Sequence, residues 1–327
     1  MPRMRRFGIS VIVAATVFAT TVSFATAGGP ENQVPTPGNH NESIVVGAGV
    51  NKLTRTFIVH VPPGFDGKSK VPVVFMLHGA GGSGEGAIPE TGWDVKSDRE
   101  GFVAVFPDGT PPHPLLPARF LMNPRLWNDG SGRGAIGVDK VDDLGFISAM
   151  IDFLEAHYAA DPARIYCTGF SNGAGMTFTL GSHFSDRIAA IAPVSSQSFI
   201  HIDSLARPLP VYYLTGTADP LIPYHGGSVA FGKISHYPPV QDSVDFWARL
   251  DGCPPQPEVV SDEKGVRVLR YGPGRAGSEV LFTTIEGNGH HWPETVEPLP
   301  HVICGPTLDP FNATDRIWDF FKAHPLP

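Results

Sequence analysis

The chain has 327 residues, 42% of them hydrophobic and 17% charged, with 37 Gly and 33 Pro. That composition fills a sizeable core and excludes wholesale disorder, while 24 Lys+Arg against 32 Asp+Glu excludes a basic nucleic-acid-binding surface. The weight of Gly and Pro points to many turns and long ordered loops, against a helical bundle.

Arg3, Arg5 and Arg6 precede an apolar run from Phe7 to Phe24, and Ala25-Thr26-Ala27 fits a small-residue cleavage site. The segment 1–27 therefore reads as a signal peptide. Its removal takes three Arg away and shifts the formal charge from −8 to −11. The expectation is a secreted protein, extracellular or periplasmic, with no membrane attachment after cleavage. Residues 28–43 are polar and turn-forming and predict a flexible leader, which leaves 44–327 as one domain.

From there strands and helices alternate. Leu53–Val61 reads as a strand, and Val71–Leu77 and Phe102–Phe106 as apolar strands buried on both faces. Leu144, Ile147, Ile151 and Leu154 recur at helical spacing behind Asp142 and Asp143, which read as caps. Ile165–Thr168, Ala189–Val194, Val211–Thr215 and Val280–Ile285 follow as short strands. Helical patterns occupy Asn172–His183, Val240–Leu250 and Ala313–Ala323. Such alternation predicts an α/β fold: a mostly parallel central sheet with helices on both faces.

Pro107–Lys140 breaks the rhythm, with Pro111, Pro112, Pro114, Pro117 and Pro124 following Pro107, several Gly, Phe120 and Trp127. Long irregular segments inside compact domains are usually functional, and this one leaves a strand end, where it should overhang the ligand crevice. Three Cys remain, at 167, 253 and 304. In an exported chain the odd count suggests one disulfide. Cys167 lies in a buried strand, so Cys253 and Cys304, both in Pro/Gly-rich loops, form the expected pair. No CxxC or spaced His/Cys cluster suggests a metal.

Gly169-Phe170-Ser171-Asn172-Gly173 stands between a strand and a helical pattern, the context a nucleophile elbow requires. Its turn would project the Ser171 hydroxyl over the strand ends. A base and an orienting carboxylate should follow in the order Ser, Asp/Glu, His. Asp219 directly follows the strand Val211–Thr215, and His290 and His291 follow Val280–Ile285, so either histidine can reach Ser171. His78-Gly79-Ala80-Gly81-Gly82 follows Val71–Leu77, and its backbone suits an oxyanion hole. The expected donors are the N–H groups of Ala80 and Asn172. His78 itself reads as a structural hydrogen-bonder. A phosphate cradle is disfavoured, because no Lys-Ser/Thr follows the glycines.

Leu77-His78-Gly79, Phe106-Pro107-Asp108-Gly109, Trp127-Asn128 and Val141-Asp142-Asp143-Leu144-Gly145-Phe146 occur in that order. Together with the Ser171 motif, Gly216-Thr217-Ala218-Asp219 and Gly289-His290-His291-Trp292-Pro293, they carry a family resemblance. Over residues 50–323 the chain resembles the secreted polyhydroxybutyrate-depolymerase-like and feruloyl-esterase-like serine esterases, related to carbohydrate esterase family 1. The resemblance implies the α/β-hydrolase fold, a catalytic set of Ser171, Asp219 and His290, and no cofactor or metal. His291 stands where that family often has Thr, and reads as a rim residue. Trp127, Tyr224, His225 and Trp292 are candidates for the substrate subsite.

These readings imply a serine esterase working through an acyl-enzyme on a small or polymeric ester. Feruloyl esters of plant cell walls come first and hydroxybutyrate polymer or oligomer second. A catalytically silent secreted binding protein is the alternative of another class. A complete Ser–Asp–His set disfavours it, since a binding relic could lose Ser171 or His290 without penalty.

Overall fold

The computed structural model describes residues 23–24, 34–47, 52–132, 141–229, 236–295, 300–308 and 310–327. All of the predicted signal peptide except Ser23–Phe24 lies outside the described residues, as do 28–33 of the predicted leader and 133–140 of the long loop.

Among the described residues eleven strands form a single sheet: β1 (Ser23–Phe24), β2 (Gly38–Val46), β3 (Leu53–Val61), β4 (Val71–Leu77), β5 (Val103–Pro107), β6 (Ala160–Phe170), β7 (Ala190–Val194), β8 (Val211–Gly216), β9 (Glu258–Glu263), β10 (Val266–Tyr271) and β11 (Val280–Ile285). Their order is β1-β2-β3-β5-β4-β6-β7-β8-β11-β10-β9. The centre, from β5 through β4, β6, β7 and β8 to β11, is parallel, and both flanks are antiparallel. The α-helices among the described residues are α1 (Gly84–Thr91), α2 (Trp93–Glu100), α3 (Asp143–His157), α4 (Asn172–His183), α5 (Val240–Asp251), α6 (His301–Cys304) and α7 (Ala313–Ala323).

The two-residue period of a strand explains the layering. In β4, Val73, Phe75 and Leu77 face a core shared with Phe146, Ile147, Ile151 and Leu154 of α3, Met176 and Leu180 of α4, and Trp247 of α5. Val74 and Met76 face the opposite core, with Trp93 of α2 and Ile317, Trp318 and Phe321 of α7. A strand buried on both faces carries no polar alternation, which is why VPVVFML is continuously apolar.

Two expectations need correction. Residues 38–43 of the predicted leader are strand: β2 pairs with β3 over nine positions, from Gly38↔Val61 to Val46↔Leu53. Its polar side chains at 39–43 leave the ladder intact because backbone groups make the bonds. Cys253 and Cys304 are not joined; all three cysteines are free thiols. Cys253 follows α5 and lies by Val280, where β11 begins, whereas the Cys304 carbonyl accepts the N–H of His290, past the end of β11. The six residues of β11 span roughly 20 Å, far beyond the Cα separation of about 7 Å that a disulfide tolerates.

Candidate active site

Parallel strands place their following loops at one edge of the sheet, and that edge gathers the motif residues. β6 ends at Phe170 beside Val194 of β7, and Ile285 of β11 pairs with Gly216 of β8. Ser171, Asp219 and His290 therefore leave neighbouring strand ends in the same direction.

Ser171 has φ 55° and ψ −119°, a conformation that side chains avoid at a cost of about 1–3 kcal/mol. Its N–H donates to Val194 O (2.9 Å), and its carbonyl accepts the N–H groups of Ala174 and Gly175 at the start of α4. The flanking glycines are dictated by space. A Cβ on Gly173 would lie 2.1 Å from the Leu77 carbonyl oxygen, and one on Gly169 would lie 2.5 Å from the Gly173 carbonyl. The tight turn thus holds Ser171 at the N-terminus of a 12-residue helix, whose end favours negative charge.

His290 and Asp219 are in direct contact. His290 Nδ1 lies 2.7 Å from Asp219 Oδ2, with both side chains buried. A carboxylate only accepts, so Nδ1 carries a proton, and in the neutral ring the lone pair is therefore on Nε2. The other carboxylate oxygen, Oδ1, accepts the N–H groups of Leu221 (2.9 Å) and Ile222 (2.8 Å), which fixes the orientation of Asp219. The imidazole packs against Phe170, the residue before Ser171, with ring centroids 4.7 Å apart. The histidine loop is braced from outside: Cys304 O accepts the His290 N–H (2.6 Å), and Asn288 Oδ1 accepts that of Leu308 (2.7 Å).

His291 points elsewhere. It is buried, not at the rim, and its Nε2 pairs with the Gly305 carbonyl (3.0 Å). Burial holds its pKa below the usual histidine value.

The glycine loop lies against the elbow: a Cβ on Gly79 would be 3.4 Å from Ser171 Cβ. Ala80 is exposed, and the next two N–H groups are committed, Gly81 to Arg125 O (2.8 Å) and Gly82 to Gly79 O (3.0 Å). His78 sits beneath. Its Nε2 accepts the Gly109 N–H (2.9 Å), so its Nδ1–H faces the Gly79 carbonyl (2.7 Å). Burial pushes its pKa down to about 4, which keeps it neutral. Asn172 is the first residue of α4, where backbone N–H groups have no partner within the helix. Its side chain grips the long loop instead: Oδ1 accepts the Trp127 N–H (2.8 Å), while Nδ2 donates to Trp127 O (3.1 Å) and Asp129 Oδ2 (2.8 Å).

The substrate-contact expectation fails for both tryptophans. Trp127 is fully buried, with its indole N–H on the His78 carbonyl (3.0 Å) and its ring 5.2 Å from that of His78. Trp292 is buried in the α7-side core, with its N–H directed at Thr314 Oγ1 (3.2 Å). An aromatic ring in a loop has a polar handle that the interior can use, and both rings are held that way. Tyr224 is half-buried against the core, and His225 is exposed with its ring 5.1 Å from that of Tyr224. Asp142 caps α3 through Gly145 N–H (2.7 Å), whereas Asp143 is a buried partner of Arg55 (2.8 Å) and of the Asn128 N–H (2.9 Å).

One acidic neighbour was not foreseen. Burial pushes the Glu90 carboxyl up to about 7, opposed by attraction to His290. Glu90 follows Pro89 in a Gly/Pro-bearing helix, where no sequence pattern marks it.

A family model described as esterase PHB depolymerase matches residues 55–230, more than half of the chain. The chain belongs to that family. It is 29% identical over 249 residues to feruloyl esterase B of Piromyces equi, covering 72% of this chain and 42% of that one. It is 24% identical over 199 residues to poly(3-hydroxyalkanoate) depolymerase C of Paucimonas lemoignei, covering 61% of this chain and 44% of that one. The chain thus spans less than half the length of either relative. Among solved structures, the acetyl xylan esterase from Aspergillus awamori superposes with a TM-score of 0.53 at 15% identity, over 82% of this chain and 94% of that one. The fold is that of the α/β-hydrolases.

Proposed function

We propose that this chain is an exported serine esterase in which Ser171 is the nucleophile, His290 the general base and Asp219 its orienting acid. The observation that carries the reading is the 2.7 Å His290–Asp219 pair set beside a Ser171 held at positive φ. Ser171 Oγ attacks the ester carbonyl while His290 Nε2 takes its proton, and Asp219 stabilises the imidazolium. The N–H groups of Asn172 and Ala80 receive the oxyanion. His290 then protonates the leaving alcohol, and water repeats the sequence on the acyl-enzyme.

Feruloyl-type esters are the first choice of substrate, supported by the likeness to feruloyl esterase B. Hydroxyalkanoate esters come second, supported by the family model and by the depolymerase relative. Export rests on the Arg-led apolar run and Ala25-Thr26-Ala27. The test is hydrolysis of feruloyl, acetyl and hydroxybutyrate esters by wild type and Ser171→Ala, with a serine-directed phosphonate as trap. Wild type should turn over at least one ester, Ser171→Ala should lose at least about 10³-fold, and the phosphonate should label Ser171 alone. More than a hundredth of the activity surviving in Ser171→Ala would refute the assignment.

A further inference from the structure

The long loop carries its apolar side chains in an unusual place. Leu115, Leu116, Phe120, Leu121 and Met122 are exposed by 94%, 60%, 68%, 88% and 80%. Scattered surface hydrophobics are ordinary, but five large ones within eight residues mark a contact site. The tip is also built to hold its shape. Asn123 is buried, its Oδ1 accepts the His113 N–H (3.0 Å), and its Nδ2 faces the carbonyls of His113 (3.0 Å), Leu116 (3.2 Å) and Pro117 (3.2 Å). Arg119 and Asn123 close a bridge across the tip, and Thr110 and Leu126 close one at its base.

The tip adjoins the candidate site. The Phe120 ring lies over Gly81, where a Cβ would come within 2.5 Å of it, and Gly81 follows Ala80. The same glycine donates to Arg125 O at the base of the loop. Between Thr110 and Pro124, Arg119 is the only Lys, Arg, Asp or Glu, so little charge must be desolvated when apolar matter covers the surface.

We propose that Leu115–Met122 is a docking surface for the apolar part of the ester, with Phe120 as the wall nearest the oxyanion loop. The inference rests on the esterase reading above and names its substrate class: esters whose acyl chain is long or aromatic enough to extend past Ala80 onto Phe120, Leu121 and Met122. A second copy of the chain is a poorer occupant. A stable interface draws about 20–30 residues from each side, and this surface is one loop tip.

The test compares wild type with the triple variant Phe120→Ser/Leu121→Ser/Met122→Ser on p-nitrophenyl acetate, butyrate and octanoate. The octanoate-to-acetate ratio of kcat/KM should fall at least tenfold, chiefly through KM. Val259→Ser/Val260→Ser, exposed apolar residues of β9, should leave that ratio unchanged. In a Ser171→Ala background, calorimetric binding of the intact octanoate ester should weaken at least tenfold with the same triple change. An unaltered ratio together with unaltered binding would overturn the inference. So would a wild-type dimer that the triple variant converts to monomer. If wild type hydrolyses none of the esters yet the binding arm shows the loss, the esterase reading fails and the docking surface stands.

Discussion

Trp127 and Asn172 are joined by a reciprocal pair of hydrogen bonds, the Trp127 N–H to Asn172 Oδ1 at 2.8 Å and Asn172 Nδ2 to the Trp127 carbonyl at 3.1 Å. The Trp127 indole N–H also holds the His78 carbonyl. One residue of the long loop therefore ties the helix start after Ser171 to the glycine loop, the two places where the proposed oxyanion donors sit. Trp127→Phe keeps an aromatic ring but removes the indole N–H, leaving the buried His78 carbonyl without that donor, a loss of about 1–3 kcal/mol to which the smaller ring adds lost packing. Since an oxyanion exists only in the transition state, kcat should drop about 10–100-fold with KM little changed. A rise in KM at constant kcat would remove Trp127 from this positioning role.

His290→Ala should fall to near background. His291→Ala should retain most of its kcat, because that ring is turned to Gly305 and away from Asp219. Its cost should appear as stability, a loss of about 1–3 kcal/mol for a buried ring and its hydrogen bond. Thermal melts beside ester assays would separate the two effects. A dead His291→Ala with a working His290→Ala would move the base by one position.

Reducing agent should leave the melting temperature unchanged, and thiol titration of the unfolded chain should count three free cysteines. Burial pushes the Cys167 thiol up to about 12 and those of Cys253 and Cys304 to about 11, so alkylation of the folded protein at pH 8 should be slow. A mass shift for a Cys253–Cys304 linkage would contradict this.

Asp251 supplies a pH signature. It is buried at the end of α5, where Oδ1 accepts the Leu209 N–H (2.8 Å) and Oδ2 has no hydrogen-bond partner among the described residues. Burial pushes its carboxyl up to about 7, against an unfolded value near 4. The folded state therefore binds the proton more tightly than the unfolded one. The resulting stabilisation is complete below about pH 4 and is lost as pH rises through 7. Asp251→Asn keeps the acceptor for Leu209 without the charge. It should be more stable than wild type at pH 8.5, by about 1–3 kcal/mol, with the gain shrinking towards pH 5. An equal shift at both pH values would exclude Asp251 as the source.

The strands of the parallel centre, from Val71 to Ile285, were legible because burial on both faces demands continuous apolar residues. β2 was not: GNHNESIVV carries its apolar side chains only at the end, where Ile44 and Val46 enter the core. α1 was hidden by Gly84, Gly86 and Pro89, and it forms because Ser83 caps Gly86 N–H and Ala87 is buried. At the site, residues tied to strand ends could be placed from their order along the chain. The tryptophans could not, since an indole in a loop can face inward or outward, and only the His78 carbonyl and Thr314 hydroxyl decide which. Phe120 shows the opposite outcome in the same loop.

The long loop divides mechanically at Asn123. Below it, Gly109, Arg125, Trp127 and Asn128 bond to His78, Gly81, Asn172 and Asp143, so that part cannot vary without disturbing the elbow. Above it, residues 114–122 bond chiefly to Asn123 and to one another. The upper part is therefore an exchangeable cartridge. Random libraries confined to 114–122 with Asn123 retained could diversify what the protein recognises, while the scaffold that would perform the chemistry is inherited intact.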